Sequence, residues 1–419
     1  MTTSPFDSCR PLTRQSFARF QIFSRAIPSA YFFAPLRLCV RLFCLLIINA
    51  AFAFAPATGA QDAASEKTDG QAKPFTQPPP PAFAPAADES ALYTVETVLA
   101  NLDGPAGVAV RPGAPAAGPF ELFIAESGRG QVIAATTAAQ GETKPAIIDF
   151  PKSADSASPA FRVWPSALEF LTRAKLAVAT GGMGPAGATI RVYSLPENGE
   201  SIAYEQLDHV VEPAANAGNR APAGFRSLAK TETAVFAAPS GGESANGLFK
   251  ANLSANRLAD LQPFVDARLA TGVAAPQAVA INPKPRSHYL VVGLMGSVEA
   301  QRDSLASFFA PVSGALALSV RTGLYDVVAL AYSPSGDLYA LDYAWVDSAA
   351  GGVYRLESAA VEGRESCRAV KIAAVLRPQG MVFTPDGALY VTGGDRPSGG
   401  EAPAGVLLRI TPAPGTPKL

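Results

Sequence analysis

The sequence predicts an all-β fold, a six-bladed β-propeller of four-stranded antiparallel blades, preceded by a signal segment and a Pro-rich linker. Three observations predict it. The composition is rich in turn-forming Gly and Pro, a pattern of two apolar strands around a turn recurs six times, and its copies are 51 to 60 residues apart. We expect residues 1–60 to be the signal segment, 61–90 a disordered Pro/Ala-rich linker and 91–416 the propeller.

The composition excludes several classes of protein. Of 419 residues, 48% are hydrophobic and 16% charged, with 36 Gly and 37 Pro, which is too apolar for a disordered chain and too rich in Gly and Pro for a helical bundle. Residues 1–60 contain six Arg and one Asp, which leaves 28 basic and 34 acidic residues in the remainder. A mildly acidic body without a basic tract argues against nucleic acid as a partner.

The first sixty residues have the organisation of a secretory signal. An Arg-rich segment is followed by an apolar run of 13 residues, Leu42–Phe54, and then by small residues at 55–60. The alternative is an uncleaved signal anchor, but the run is shorter than the roughly 20 residues that a spanning helix needs. We therefore expect a periplasmic or extracellular protein, with a membrane tether only if this segment stays uncleaved.

Cysteine usage limits the chemistry of the exported part. Cys9, Cys39 and Cys44 lie in the signal segment, so Cys367 is the only cysteine after it. One cysteine forms no internal disulfide and no Cys-based zinc site, so the fold must depend on its core. We expect Cys367 to be a packed or surface residue rather than a reactive thiol.

The linker and the repeat follow in order. Residues 61–90 include Pro78–Pro81 and favour an extended, solvated spacer. Each repeat then begins with an apolar strand around a small residue, which we place at Gly107, Ala167, Gly224, Ala278, Ala329 and Gly380. Second strands follow at 121–125, 175–179, 233–237, 288–292, 337–341 and 388–392. Third strands are evident in most copies, at 131–134, 189–193, 247–250, 352–356 and 406–410, and long insertions include 212–223 and 296–307.

Two local features refine this assignment. Residues 333–339 and 384–390 align as Pro-x-Gly turns between apolar strands, which is typical of hairpins. Residues 166–176 also fit a helix after a proline, but the register of the other copies favours two strands and a turn. The segment Tyr93–Val98 precedes the first copy, and we predict that it pairs beside Val406–Ile410 and closes the ring.

Residues 107–110, 329–339 and 380–391 carry a resemblance to a known group. The chain resembles the six-bladed propellers of the NHL, SMP-30/gluconolactonase and quinoprotein sugar-dehydrogenase type, over roughly residues 91–416 as architecture. In the gluconolactonase-like members, the resemblance implies a divalent metal held in the channel by Glu, Asn and Asp oxygens. In the quinoprotein members, it implies a histidine acting as general base.

The metal candidates in this sequence are Glu126, Asp342 and Asp395, which follow second strands in the first, fifth and sixth copies. Their oxygens suit calcium or magnesium, and calcium is the cofactor that we expect if a metal binds. No matching Asn is evident in the third or fourth copy. The alternative, which we favour, is that each acid caps a loop.

Loops at the same end also carry Trp345 and Arg396. With Glu126, Asp342 and Asp395 they predict a ligand-binding patch, and the alternative is a set of unrelated loop side chains. His209 and His288 are far apart and form no zinc motif. The loop 182–187 matches G-x-G-x-x-G, but a strand follows it, which argues against a dinucleotide site.

These observations favour a non-catalytic function, with catalytic residues unknown. We expect a monomeric, exported module that binds an unknown protein or carbohydrate through loops at one end of the ring. The alternative is a metal- or quinone-dependent enzyme of sugar or lactone metabolism.

Overall fold

The structure, a computed structural model, describes residues 83–138, 141–151, 163–182, 188–214, 222–240, 246–283, 289–296, 302–394, 405–416 and 418–419. Strands dominate these ranges, with one short α-helix, α1 (Ala267–Thr271), and a 3-10 turn at Ser90–Leu92. No helix in these ranges is long and apolar enough to cross a membrane. The predicted signal segment and most of the predicted linker lie outside the described residues.

The strands of the first half, in chain order, are β1 (Ala87–Asp88), β2 (Tyr93–Leu102), β3 (Pro105–Val110), β4 (Glu121–Glu126), β5 (Gln131–Thr136), β6 (Thr143–Ile148), β7 (Val163–Phe170), β8 (Lys175–Gly182), β9 (Ile190–Ser194), β10 (Ile202–Ala203), β11 (His209–Val211), β12 (Gly224–Lys230), β13 (Ala234–Ser240) and β14 (Gly247–Ser254). Those of the second half are β15 (Arg257–Leu258), β16 (Gln262–Asp266), β17 (Pro276–Ile281), β18 (Leu290–Leu294), β19 (Leu305–Phe309), β20 (Leu316–Arg321), β21 (Val327–Tyr332), β22 (Leu338–Asp342), β23 (Gly352–Val361), β24 (Arg364–Ala374), β25 (Leu376–Phe383), β26 (Leu389–Gly394) and β27 (Gly405–Pro412).

The described strands form five sheets in a propeller-like arrangement, each built on antiparallel pairs of strands that follow one another along the chain. Four of them contain the runs β3–β4–β5–β6, β17–β18–β19–β20, β21–β22–β23–β24 and β25–β26–β27–β2. The fifth has nine strands and contains β7–β8–β9–β11 and β12–β13–β14–β16, joined where Gly224 pairs with Gly181. Short edge strands β10 and β1 pair in parallel with β6 and β24.

The first strands of the repeats lie side by side. β3 contacts β7, and the contacts continue through β12, β17, β21 and β25, which in turn contacts β3. These strands surround a cavity of about 440 Å³, which we call the channel cavity. Apolar clusters lie between neighbouring sheets; one packs Val370 and Ile372 against Leu389 and Val391. Packing between sheets therefore stabilises the described part of the chain, in which Cys367 forms no disulfide.

The predicted pairing of the first strand with the last is confirmed. β2 lies antiparallel to β27, with Val95 opposite Ile410 and Leu99 opposite Leu407. Leu99 and Leu407 are buried in the apolar cluster between this sheet and the sheet of β4. The strand before the first copy thus completes the sheet that the last copy forms.

Two other predictions from local sequence are confirmed. Gly336 and Gly387 occupy the same turn position with the same φ of 92°, a conformation that favours glycine. Residues 166–176 form β7, a turn and β8 rather than a helix. Pairing with neighbouring strands decides this, because Ala167 lies opposite Ala179 across the turn.

Two assignments need correction. Residues 296–307, expected as an insertion, include the start of β19, the third strand of the fourth copy. The buried Ser307 interrupts its apolar pattern, and its hydroxyl pairs with that of Ser319 at 2.8 Å. The small residue of the third copy is Ser227 rather than Gly224, because Ser227 lies opposite Ala238 immediately after a bulge, as Ala167 does opposite Ala179.

Residues 83–92 run along the outer edge of one sheet, so the described chain begins inside the range expected as linker. Ala87 pairs with Val370 of β24, and the Ala84 amide donates to the Cys367 carbonyl at 3.1 Å. Cys367 is buried beside this segment, and burial raises the pKa of its thiol to about 12. The thiol is therefore neutral and shielded at physiological pH.

Candidate functional site

Glu126 is fully buried at the end of β4. Its carboxylate accepts hydrogen bonds from the Asp103 amide at 3.0 Å and from Gln131 Nε2 at 2.6 Å, and Arg129 Nη1 lies 3.4 Å away. Asp103 belongs to the loop that leads into β3. Glu126 therefore holds the entry to the first strand of its own sheet.

Asp342 has the same role at the end of β22. Its oxygens accept the amides of Tyr325 at 3.1 Å, Asp326 at 2.8 Å and Ala344 at 3.1 Å. Tyr325 and Asp326 form the loop that leads into β21. Burial raises the pKa of Asp342 to about 6, although these backbone hydrogen bonds oppose the shift.

The two carboxylates therefore cap loops, as the favoured alternative expects, and their oxygens point at N–H donors rather than at a shared point. The described residues contain no group of three or more Asp, Glu, His or Cys side chains placed to hold a metal ion. Asp395 lies outside the described residues. Leu341 of β22 and Thr392 of β26 are equivalent, because each lies opposite the small residue of its first strand. The residue of β26 that corresponds to Asp342 is therefore Gly393. Glu126 and Asp342 do not fit a calcium site by themselves, and calcium stays a prediction.

Trp345 forms an aromatic platform with Tyr343 beside Asp342. The Trp345 side chain is 76% exposed and stacks on Tyr343, with ring centroids 5.7 Å apart and planes 19° from parallel. The Trp345 amide donates to Asp326 Oδ2 at 2.6 Å, and the Ala344 amide is held by Asp342. The loop is thus fixed at two consecutive residues. Arg396, predicted for the same patch, lies outside the described residues.

Arg226 lies in the channel cavity, close to this loop. Its Nη2 donates to Gln379 Oε1 at 2.7 Å, which joins β12 to β25. Burial lowers the pKa of the guanidinium, and the nearby Tyr343 and Asp326 oppose that shift. Arg226 and Gln379 both lie in the irregular part of their first strand, where a bulge redirects a side chain.

Glu169 and Lys230 line the same cavity further along the first strands. Burial raises the pKa of Glu169 to about 7, while Lys230 opposes the rise. Lys230 Nζ donates to the carbonyls of Phe170 at 2.7 Å and Leu171 at 3.0 Å. Sequence reasoning missed four residues that line the channel cavity, Arg226, Gln379, Glu169 and Lys230. The signal that could have found them is a charged or amide side chain in an otherwise apolar first strand.

The histidines do not join this site. His209 starts β11, an outer strand, where it lies opposite Val192. The Leu258 amide donates to His209 Nε2 at 3.4 Å, so the imidazole packs between outer strands rather than in the channel. His288 lies outside the described residues.

Comparison with solved structures finds similar proteins at low sequence identity. The structure is similar to a glucose dehydrogenase (14% identity, TM-score 0.48, covering 76% of this chain and 100% of that chain). It is also similar to the PQQ-bound aldose sugar dehydrogenase from Streptomyces coelicolor (14%, 0.46, 78% and 100%) and to a gluconolactonase from Xanthomonas campestris (14%, 0.47, 80% and 99%). No protein-family model matches the chain, and no curated sequence does. At this level of similarity these proteins assign neither a substrate nor a cofactor to this chain.

Proposed function

We propose that this protein is an exported six-bladed β-propeller that binds a carbohydrate through the loops at one end of its ring. The two four-stranded runs of the nine-stranded sheet count as separate blades in this proposal, because among the described residues Gly224–Gly181 is the one strand pairing between them. Residues 1–60 direct export, and the Pro-rich segment that follows spaces the propeller from its signal. We expect the exported protein to act as a monomer.

The platform of Trp345 on Tyr343 is the observation that supports binding. A tryptophan that is 76% exposed leaves a large apolar face in water. The C–H face of a sugar ring covers such a surface well, and the neighbouring polar groups remain available to hydroxyls. This chemistry favours a carbohydrate over a protein surface as the ligand, since the platform consists of two rings and adjoins the carboxylate of Asp326.

The platform is also held in place before any ligand arrives. The amides of Ala344 and Trp345 are bound by the carboxylates of Asp342 and Asp326. A fixed loop loses less conformational entropy on binding, so even a small contact area yields measurable affinity.

Tryptophan fluorescence tests the proposal directly. The chain has two tryptophans, so Trp164→Phe makes Trp345 the only reporter. Titration with cello-, malto- and xylo-oligosaccharides should give a saturable change with at least one series. Trp345→Ala should remove that binding, measured by calorimetry, whereas Leu269→Ala, at another exposed apolar residue, should leave it intact. Binding that survives Trp345→Ala, or no binding in any series, would overturn the carbohydrate proposal.

Export and the monomeric state have their own tests. N-terminal sequencing of the exported protein should begin after the apolar run at 42–54, and light scattering after gel filtration should give one chain per particle. An intact N-terminus in the membrane fraction would instead support the signal anchor.

A second candidate function, an enzyme of sugar or lactone metabolism, is favoured by Glu169. A carboxyl that titrates at about 7 inside a cavity is suited to act as general base at neutral pH. Lactone hydrolysis, and sugar oxidation with a quinone added, should then be lost in Glu169→Gln. Melting in EDTA and in millimolar calcium tests the metal, since a bound ion raises the midpoint.

A further inference from the structure

The channel cavity has the size and the charge of a small-molecule site. Its volume of about 440 Å³ falls in the range of ligand pockets. First strands of all the repeats line it with apolar residues, so a charged group inside it is poorly solvated. Arg226 is such a group.

Arg226 uses few of its hydrogen-bond donors within the described protein. Its Nη2 is bound by the neutral amide oxygen of Gln379, while Nε is buried and has no hydrogen-bond partner there. No described carboxylate forms a salt bridge with it. A guanidinium has five N–H donors, and burial is costly when they are not matched by an anion.

The charges around the cavity indicate how large a negative charge would match. Among the lining residues, Arg226 and Lys230 are positive and Glu169 is negative when ionised, which leaves one positive charge. Asp326, outside the lining, also stabilises the charge of Arg226, but its Oδ2 accepts the Trp345 amide. Lys230 already donates to two backbone carbonyls, so Arg226 offers the more accessible donors. A monoanion balances this charge, and a planar carboxylate fits the guanidinium better than a tetrahedral dianion does.

We propose that the channel cavity binds a small organic monocarboxylate, with its carboxylate held by the guanidinium of Arg226. The site centres on Arg226 among the first strands rather than on the exposed Trp345, and this inference goes beyond the proposed carbohydrate binding. The body of the ligand would lie against the apolar strands on either side of Arg226.

Calorimetric titration of the full chain with matched probes tests this proposal. Benzoate and cyclohexanecarboxylate should bind saturably at millimolar concentration, their neutral counterparts benzyl alcohol and cyclohexylmethanol should not, and phosphate should bind more weakly. Arg226→Met should weaken benzoate or cyclohexanecarboxylate binding by about tenfold or more, the loss expected for one charged hydrogen bond. Arg368→Met, at an exposed arginine, should change nothing. Trp345→Ala should also leave carboxylate binding intact, which separates this site from the platform.

A second measurement avoids dependence on a folded Arg226 variant. Phenylglyoxal modifies accessible arginines, and mass spectrometry of the parent protein measures modification at Arg226. Benzoate should protect Arg226 and leave Arg368 reactive, while benzyl alcohol should protect neither. Absence of saturable binding by both carboxylates, equal binding by Arg226→Met, or lack of protection would each overturn the proposal.

Discussion

Arg226 on β12 and Gln379 on β25 are joined by a 2.7 Å hydrogen bond, although 153 residues separate them in sequence. They belong to the third and sixth copies of the repeat. Each lies immediately before the small residue of its first strand, Ser227 or Gly380, where the pairing with the second strand is irregular. The bond therefore joins equivalent positions of two distant repeats inside the channel cavity.

Removing the acceptor of this bond should destabilise the protein. Gln379→Ala leaves the buried Arg226 with one fewer partner, and we expect it to lower the free energy of unfolding by about 1.5–3 kcal/mol. Urea denaturation followed by circular dichroism measures the loss. The double variant Arg226→Met/Gln379→Met should recover most of it, because no buried charge is left unpaired. A Gln379→Ala variant as stable as its parent would contradict this role.

The capping carboxylates should matter for stability rather than for metal binding. Asp342→Ala removes the acceptor of three backbone amides, and we expect a loss of about 2–4 kcal/mol. Glu126→Ala should have an effect of similar size. The matched control is Glu142→Ala, at an exposed residue, which should change the midpoint little. If calcium stabilises the parent and not these two variants, their role is metal binding instead.

Glu169 should make the stability depend on pH. Its folded pKa of about 7 lies above its ordinary 4.5, so the folded state binds more protons than the unfolded state between those values. Stability is then greatest below about 4.5 and falls as pH rises through about 7, by at most about 3 kcal/mol. Asp342, with its pKa of about 6, contributes a fall of the same sign at lower pH. Glu169→Gln should therefore flatten the part of the profile between about 6 and 7, measured by denaturation at a series of pH values. A parallel profile for the variant would show that Glu169 is not the titrating group.

Ring closure by β2 can be tested within one strand. Leu99 is 4% exposed and Val95 is 44% exposed, and both lie in β2 opposite β27. Leu99→Ala should cost about 2–5 kcal/mol through the cavity it leaves, whereas Val95→Ala should cost well under half of that. Thermal melting of both variants measures the difference. Equal and small effects would mean that the strand contributes little to the fold.

Local sequence predicted much of the strand pattern. The turns at Gly336 and Gly387 require a positive φ that glycine adopts readily, so their identity marked two hairpins. The third copy shows where this reasoning fails. Gly224 fits the small position that recurs in the repeat, but the pairing of β12 with β13 places Ser227 at that position. The bulge at Arg226 causes this shift, and nothing in the sequence indicates it.

The sequence by itself determined the strand-rich fold, the repeat and the partner of the first strand, because alternation and turn residues act between neighbours in the chain. Only the tertiary structure decided that Glu126 and Asp342 cap loops, that Trp345 stacks on Tyr343, and that Arg226 meets Gln379. Those contacts depend on how the sheets pack around the channel cavity. Packing also sets the low polarity that raises the pKa of Glu169, a property that no short stretch of sequence encodes.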